Sequence, residues 1–501
     1  MRFFFGCAFF FFLGIHQILG QLNVPKIFTD NMVLQRDKPI HLWGKGSLNT
    51  SLKVQFGKET VTTRVNQDST WSILLKERRA NSTPQSIEIT DGVDKIILSN
   101  ILIGDIWICI GQSNMEWPME KEEHLKEELS NAQQPLLRFY NPIYAGKGIY
   151  NEVFTDSVLQ LLNKKSFFQG SWAVSDSSSI KKMSAVGYYF AKRILEEEHV
   201  PIGLVNMSIG GAPIETFVGV KAMKNSPQFI RKAKGNWLTN EELPVWIRER
   251  GDKNVGKIPV INQDELGSNH AFKPGFAFSA GIEPMLQMPI QGILWYQGES
   301  NAQELERVYE YAELQKLLIE DYRKQWKQPK MPFYWVQLSS IDTLKYKSHY
   351  WPEFRNEQRK LLEEIDNSGM VVTSDIGAKN DVHPTNKKDV GKRLARWALK
   401  NTYGHGIIPS GPLPYSADFK DGKVVISYEY GDGLTTSDGK SLRGFSLDGK
   451  SPVKTYINKD KIVVPTVRKP KFLYYAWQPW TDANLVNFEN LPASTFKIKV
   501  E

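Results

Sequence analysis

The sequence has almost no cysteine, and this limits how the fold can be stabilised. Only Cys7 and Cys109 occur in 501 residues. Cys7 lies in an N-terminal apolar stretch that we expect to be removed, so the mature chain would form no internal disulfide. Cys109 lies within an apolar run, which favours the role of a small core residue. A chain of this length without disulfides depends on hydrophobic cores, and its length predicts two or three domains.

Several other patterns are also absent, and each absence excludes a class of protein. The eight histidines are scattered without the spacing of metal ligands, so no metal site is expected. The formal net charge is +8, but basic and acidic residues alternate and no basic block contains stacking aromatic residues. The sequence therefore predicts no nucleic-acid partner. Beyond the N-terminus no run is long and apolar enough to cross a membrane, so we expect no membrane association after processing.

The first twenty residues differ in composition from the rest of the chain. Arg2 gives a positive start, Phe3 to Leu13 is almost entirely apolar, and Gly20 is a small residue at a plausible cleavage point. These features predict a signal peptide over 1–20. An N-terminal membrane anchor is the alternative, but the apolar run is short for that purpose. The prediction places the protein outside the cell or in the periplasm, or in the lysosome if the host is eukaryotic.

Three further segments differ in their hydrophobic patterns. Residues 21–100 contain short β-type runs between turn-forming residues, which predicts a β-sandwich module. In 101–404, strand-length apolar runs alternate with amphipathic helices, which predicts an α/β domain with a parallel sheet and helices on both faces. In 405–501 the β pattern returns, which predicts a second β module, and its expected hairpins lie at Asp421-Gly422, Asp438-Gly439 and Asp448-Gly449. Long irregular segments at 118–180 and 217–285 are expected to form lids or walls.

Polar residues follow the predicted buried strands of the central segment. Ser113 follows the first strand, Gly210 and Gly211 the second, Asn301 the third, and His383 lies after the fifth. Because the carboxyl ends of parallel strands share one edge of a sheet, we expect these residues to converge. Ester hydrolysis needs a nucleophilic hydroxyl, an imidazole that accepts its proton, and donors for the developing oxyanion.

The order Ser, Gly, Asn, His at successive strand ends resembles that of the SGNH (GDSL-like) hydrolases, whose sheet is of the flavodoxin-like type. The residues that carry the resemblance are Gly111–Met115, Gly211, Gly298–Asn301 and Asp381–Pro384.

Three longer motifs are similar to those of the sialate O-acetylesterase family. They are Asp30–Arg36, Gln112–Trp117 and Trp295–Asn301. The resemblance extends over nearly the whole mature chain, including both β modules.

The resemblance implies a role for each matching residue. Ser113 is expected to be the nucleophile, and His383 the general base and later the acid. The amides of Ser113 and Gly211 and the side chain of Asn301 are expected to form the oxyanion hole, with Gly210 as the alternative to Gly211. Asp381 is two residues before His383, whereas the superfamily has its aspartate three residues before. Asp381 either orients His383 or caps a helix beginning at Pro384, and in the second case the enzyme works with a Ser-His dyad or a partner such as Asp375.

Three other residues are candidates for substrate binding. Gln112 and Glu299 flank the motif residues, and Glu299 alternatively supports the Asn301 loop. Arg355 is able to pair with a substrate carboxylate, or with an acid inside the protein.

The predicted function is an exported, cofactor-independent serine esterase that removes O-acetyl groups from sialic acid through an acetyl-serine intermediate. The first alternative is an acetylesterase for another glycan, such as acetylated xylan. The second, from a different class, is a non-catalytic glycan-binding protein. The expected partner is a small-molecule or glycan substrate, and the sequence does not determine the oligomeric state.

Overall fold

The computed structural model describes residues 21–256 and 262–501. The predicted signal peptide lies outside the described residues. Within them, no helix combines the length and the apolar composition needed to span a membrane.

The N-terminal part of the described residues consists mainly of strands, and its β-sandwich arrangement stays a prediction. β3 pairs with β4 and β6, β6 pairs with β7, and β2 and β5 form a separate two-stranded sheet. Burial alternates along β3, because one face of the strand packs on the core. The strands are β1 (Val33–Gln35), β2 (Ile40–Lys45), β3 (Ser51–Phe56), β4 (Glu59–Arg64), β5 (Thr70–Leu75), β6 (Asn81–Thr90) and β7 (Lys95–Gly111).

The central part contributes ten strands and all ten α-helices of the described residues. The strands are β8 (Gln134–Tyr140), β9 (Ile143–Tyr144), β10 (Phe168–Gln169), β11 (Trp172–Ser175), β12 (Ile202–Asn206), β13 (Gln263–Asp264), β14 (Gly267–Ser268), β15 (Gly292–Tyr296), β16 (Phe333–Val336) and β17 (Ser368–Val371). The helices are α1 (Ser113–Glu116), α2 (Leu125–Glu128), α3 (Asp156–Leu161), α4 (Ser179–Lys182), α5 (Ala185–Glu198), α6 (Val220–Asn225), α7 (Val245–Val255), α8 (Leu305–Gln325), α9 (Trp351–Lys360) and α10 (Lys388–Asn401).

The central sheet has the strand order β11-β8-β12-β7-β15-β16-β17, and only the β11–β8 pair is antiparallel. The chain runs from β7 to β8 and β12 on one side, and then to β15 on the other. The reversal of strand order therefore lies beside β7, where α/β sheets open a crevice at their carboxyl edge. The prediction that 118–180 is irregular is wrong in part, because β8 and β11 lie in this segment and extend the sheet. Pro135 and Arg138 interrupt the apolar pattern of β8.

Helices cover both faces of this sheet, which confirms the predicted α/β class. On one face, the Trp107 ring lies 4.9 Å from the Phe190 ring of α5. On the other face, the Trp295 indole donates to the Tyr311 hydroxyl of α8 at 3.2 Å, and the Trp335 indole donates to a carbonyl of α9 at 3.2 Å. Cys109 is buried in this core, as predicted, and burial raises the pKa of its thiol to about 12.

The C-terminal β module has its own hydrophobic core, which extends from Ala417 to Val500. The predicted hairpin at Asp421-Gly422 joins its first two strands. The strands are β18 (Leu413–Lys420), β19 (Lys423–Glu429), β20 (Thr435–Thr436), β21 (Phe445–Ser446), β22 (Tyr456–Asn458), β23 (Lys461–Pro465), β24 (Phe472–Tyr475), β25 (Leu485–Val486) and β26 (Phe496–Lys499).

The N-terminal module and the central sheet share the strand β7, which runs through the predicted boundary between 100 and 101. The buried Asp105 of β7 accepts two hydrogen bonds from Arg36, at 2.9 and 3.0 Å. It also accepts from Gln35 and from the Tyr403 hydroxyl, both at 3.0 Å. The Asp30–Arg36 motif therefore has a structural role in this fold, since its last two residues attach the N-terminal module to the sheet.

We predict that Asp105→Ala destabilises the protein by about 3–5 kcal/mol. The substitution removes the carboxylate that accepts hydrogen bonds from Arg36, Gln35 and Tyr403, and leaves these donors without this acceptor. Urea unfolding followed by circular dichroism measures the change. The exposed Glu77→Ala is the control and is expected to stay within about 0.5 kcal/mol of wild type. Equal stability of the two variants would contradict the structural role of this network.

Candidate active site

The turn after β7 is tightly constrained by its neighbour β15. Gly111 has a φ of 150°, and a β carbon on it would lie 2.0 Å from the carbonyl oxygen of Tyr296. Only glycine therefore permits this approach. Ser113 follows as the first residue of α1, so its backbone amide is one of the first-turn donors that no helical carbonyl accepts. The turn presents the Ser113 hydroxyl and its amide together at the carboxyl edge of the sheet.

Ser113 and His383, which are 270 positions apart, are in hydrogen-bond contact. The distance from His383 Nε2 to Ser113 Oγ is 2.8 Å. His383 Nδ1 lies 3.3 Å from Asp381 Oδ1, and the same oxygen accepts the His383 backbone amide at 2.9 Å. This arrangement gives a hydroxyl, an imidazole and a carboxylate in the order required for nucleophilic catalysis.

Trp117 holds the ring of His383 and Asn114 holds the loop that carries it. It stacks on the Trp117 ring, with centroids 5.1 Å apart and planes inclined by 19°. The neighbouring carbonyl of Val382 accepts the side-chain amide of Asn114 at 2.9 Å. Burial lowers the pKa of His383, Asp381 opposes this shift, and Lys387 adds to it. The imidazole is therefore held in its neutral, proton-accepting form.

Asp381 is more exposed than a buried triad acid, since its side chain retains 63 % of its accessible surface. The alternative in which it caps a helix at Pro384 is wrong, because α10 begins at Lys388 with Lys387 as its N-cap. Asp375, the other candidate partner, forms two hydrogen bonds with Arg393 at 2.8 and 2.6 Å. Asp381 is therefore the carboxylate that contacts His383.

The expected oxyanion-hole groups lie on the two loops beside Ser113. Gly211 has a φ of 74°, a conformation that glycine adopts at low cost. Gly210 donates its amide to the Tyr144 hydroxyl at 3.2 Å, whereas the Gly211 amide donates to no other described residue. Asn301 is buried, and its Nδ2 donates to Glu215 at 3.0 Å. Because an amide nitrogen carries two hydrogens, Asn301 keeps one donor for a further acceptor.

Gln112 links the serine turn to the loop that carries Asn301. Its side-chain oxygen accepts from Gln297 Nε2 at 3.1 Å and from the amides of Gly298 and Ser300 at 3.3 and 3.2 Å. Gln112 is itself buried, with 2 % of its surface exposed. Its contacts therefore support the loop, and a direct contact with substrate stays a prediction.

Glu299 and Lys387 are buried on either side of Asn114, immediately behind the serine. Asn114 donates to Glu299 at 2.6 Å and accepts from the Lys387 ammonium at 2.5 Å. Burial raises the pKa of Glu299 to about 7 and lowers the pKa of Lys387 to about 7. Sequence reasoning missed Lys387, since a lysine at the start of a helix gives no signal of burial.

Arg355, the other candidate for substrate binding, is fully buried against the C-terminal module. Its guanidinium donates to the carbonyls of Gln478 and Pro479 and to the Ser340 hydroxyl. Burial lowers its pKa to about 9. The structure thus places Arg355 in a contact between modules, apart from the Ser113–His383 pair. No three described His, Cys, Asp or Glu side chains are grouped to hold a metal ion.

Comparison with known proteins agrees with this geometry. The family described as carbohydrate esterase, sialic acid-specific acetylesterase, matches residues 279–400, a range that contains Asn301 and His383. Human sialate O-acetylesterase is 26% identical over 433 residues, which cover 80% of this chain and 75% of the human protein. The mouse sialate O-acetylesterase is 25% identical over 511 residues, covering 90% of this chain and 89% of the mouse protein.

A solved structure shows the same architecture. The crystal structure of a carbohydrate acetylesterase from Xanthomonas citri matches with a TM-score of 0.77 and 27% identity, and covers 95% of this chain and 99% of that one. The agreement extends over the central sheet and both β modules. The chain is therefore a carboxylic ester hydrolase with a carbohydrate acetylesterase fold, and its predicted resemblance to the sialate O-acetylesterase family is confirmed.

Proposed function

We propose that this protein is an exported esterase that removes O-acetyl groups from sialic acid, with Ser113 as its nucleophile. The observation that carries the proposal is the 2.8 Å contact between Ser113 Oγ and His383 Nε2 at the carboxyl edge of the sheet. The sugar is taken from the sialate O-acetylesterases to which the chain is similar. Export rests on the composition of 1–20 alone.

The first half of the reaction transfers the acetyl group to the enzyme. As Ser113 Oγ attacks the acetyl carbonyl carbon, His383 Nε2 accepts its proton, and the carbonyl oxygen becomes an oxyanion. The amides of Ser113 and Gly211 and the remaining hydrogen of Asn301 Nδ2 are the proposed donors to that oxygen. When the intermediate collapses, His383 returns the proton to the leaving sugar hydroxyl, and the acetyl group stays on Ser113.

The second half releases acetate. A water molecule gives its proton to His383 and attacks the acetyl-serine carbonyl, and the oxyanion forms again at the same donors. Collapse returns the proton to Ser113 Oγ and leaves acetate. Asp381 stabilises the transient imidazolium in both halves from its position 3.3 Å from Nδ1.

An acetylesterase acting on a neutral glycan such as acetylated xylan is the second candidate. The observation in its favour is the structural match, over 95% of this chain, to a carbohydrate acetylesterase from Xanthomonas citri. The two candidates share all the chemistry at Ser113 and differ only in the sugar.

We predict that acetate release from O-acetylated sialic acid exceeds that from acetylated xylose or xylan. In Ser113→Ala we expect a loss of kcat of up to about 10⁶-fold on every substrate, as for a missing triad serine. Acetate assays on purified wild type and variant measure both effects, and an unchanged melting temperature shows that the variant is folded. Near-normal activity of Ser113→Ala contradicts the nucleophile, and a preference for xylosides contradicts the sugar.

Asp381→Asn is predicted to lower kcat by about 10- to 100-fold. This is less than the ~10⁴-fold loss at a buried triad aspartate, because an exposed carboxylate is screened by solvent. The asparagine oxygen still accepts the His383 amide, so the loop conformation is preserved. Steady-state kinetics with p-nitrophenyl acetate measure the loss. A kcat of the variant within about threefold of wild type would show that Asp381 does not orient His383.

The acid limb of kcat/KM should lie below pH 6.5, the ordinary histidine value, because burial lowers the pKa of His383. Below that pKa the ring is protonated and cannot accept the serine proton, so activity falls as pH falls. Asp381→Asn removes a charge that raises this pKa, so its limb should move to lower pH. Rate profiles from pH 4 to 8 test this, and a shift to higher pH would contradict the assignment of His383 as base.

A further inference from the structure

Arg250 on α7 is a cation without a carboxylate partner. Among residues 21–256 and 262–501 its guanidinium forms no ion pair and no hydrogen bond, and its Nη1 atom is buried. The guanidinium carbon lies 5.2 Å from the centre of the Tyr150 ring and 5.9 Å from that of Trp246. The side chain as a whole is partly exposed, so the guanidinium is accessible to a group of opposite charge from solvent, and its buried nitrogen lacks a hydrogen-bond acceptor.

A chain of contacts connects Arg250 to the serine helix through Tyr150. Glu116, one turn after Ser113, accepts the Tyr144 hydroxyl at 3.3 Å, and that hydroxyl accepts the Gly210 amide at 3.2 Å. A β carbon on Gly210 would lie 2.9 Å from Glu116 Oε2 and 3.2 Å from the Tyr150 hydroxyl. The Tyr150 hydroxyl therefore lies at the loop after β12, while its ring faces Arg250.

A second chain of contacts passes through Trp246. The Trp246 ring would lie 3.0 Å from a β carbon on Gly211, and its indole donates to the Ser300 carbonyl at 3.1 Å. Arg250 is four residues further along α7 and therefore projects from the same face of the helix. α7 thus contacts both loops that carry the proposed oxyanion donors, and Arg250 lines a small pocket together with Tyr150 and Gly210.

The two acids of the active-site loops named above have other partners. Glu116 is paired with Lys147 at 2.7 Å. Asp381 belongs to the His383 loop and contacts the imidazole. Arg250 therefore supplies a positive charge that the neighbouring described residues leave uncompensated.

We propose that Arg250 binds the carboxylate of the substrate, so that the site selects acidic O-acetylated sugars over neutral ones. The guanidinium fork suits a carboxylate, and the rings of Tyr150 and Trp246 border the subsite. This inference rests on the proposed function, and it gives Arg250 the role that the sequence suggested for Arg355.

The test compares O-acetylated sialic acid with its carboxyl methyl ester, which has the same acetyl group and no negative charge. Wild type should hydrolyse the free acid with a kcat/KM about 10- to 100-fold above that of the methyl ester, the size of one charge-assisted hydrogen-bonded contact. Arg250→Gln should lose that preference mainly through KM and change less than about threefold on the methyl ester. Arg250→Lys should keep part of the preference, because it retains the charge without the fork.

Lys253→Gln is the matched control, since it removes the same charge from an exposed position on the same helix. It should behave as wild type on both substrates. Equal losses by Arg250→Gln on the acid and the ester, or a wild type that hydrolyses both equally, overturn the carboxylate subsite and leave the sialate esterase intact. A wild type that releases acetate only from xylosides overturns the proposed substrate together with this subsite.

Discussion

The hydrogen bonds accepted by Gln112 are the constraint on which the rest of the site depends. Its side-chain oxygen holds the loop after β15 against the turn after β7, at distances of 3.1 to 3.3 Å. Ser113 is the next residue along the chain, and Asn301 follows the anchored loop by one position. The hydroxyl and the side-chain amide are therefore positioned by the same buried contacts. An error of about an ångström at such groups lowers the rate strongly, which explains why so many polar atoms are buried here.

The buried polar groups around Asn114 connect the serine turn to the loop that carries His383. Lys387 and Glu299 have lost most of their hydration, and Asn114 joins them by hydrogen bonds at both ends of its amide. Asn114 also holds the Val382 carbonyl next to His383. The cluster thus couples the serine turn to the histidine loop, while the charge of Lys387 helps to lower the pKa of His383. A polar cluster with these connections specifies one arrangement of the two loops.

The sequence predicted much of the fold because the central strands are continuous apolar runs that are buried on both faces. It predicted the contact of Ser113 with His383 because parallel strands share an edge. It missed β8 because Pro135 and Arg138 interrupt the apolar run of that strand. It also predicted a hairpin at Asp438-Gly439, whereas β20 before it pairs with the distant β25. Local turn signals do not identify the partner strand. Arg355 and Arg250 show the same limit, since burial and pairing of an arginine depend on the tertiary structure.

The central sheet and the two long segments between its strands, 118–180 and 217–285, have different roles in the proposed function. In the proposed mechanism, Ser113 and the oxyanion donors at the strand ends contact only the reacting atoms, so they would act on any acetyl ester. Selectivity for a sugar needs contacts beyond the acetyl group, and in the proposed function these contacts come from the segments 118–180 and 217–285. α7 belongs to the segment 217–285, and its Trp246 contacts the loops beside Ser113. A change in the length or sequence of the segment 217–285 can therefore alter the preferred sugar, while the distance between Ser113 and His383 stays the same.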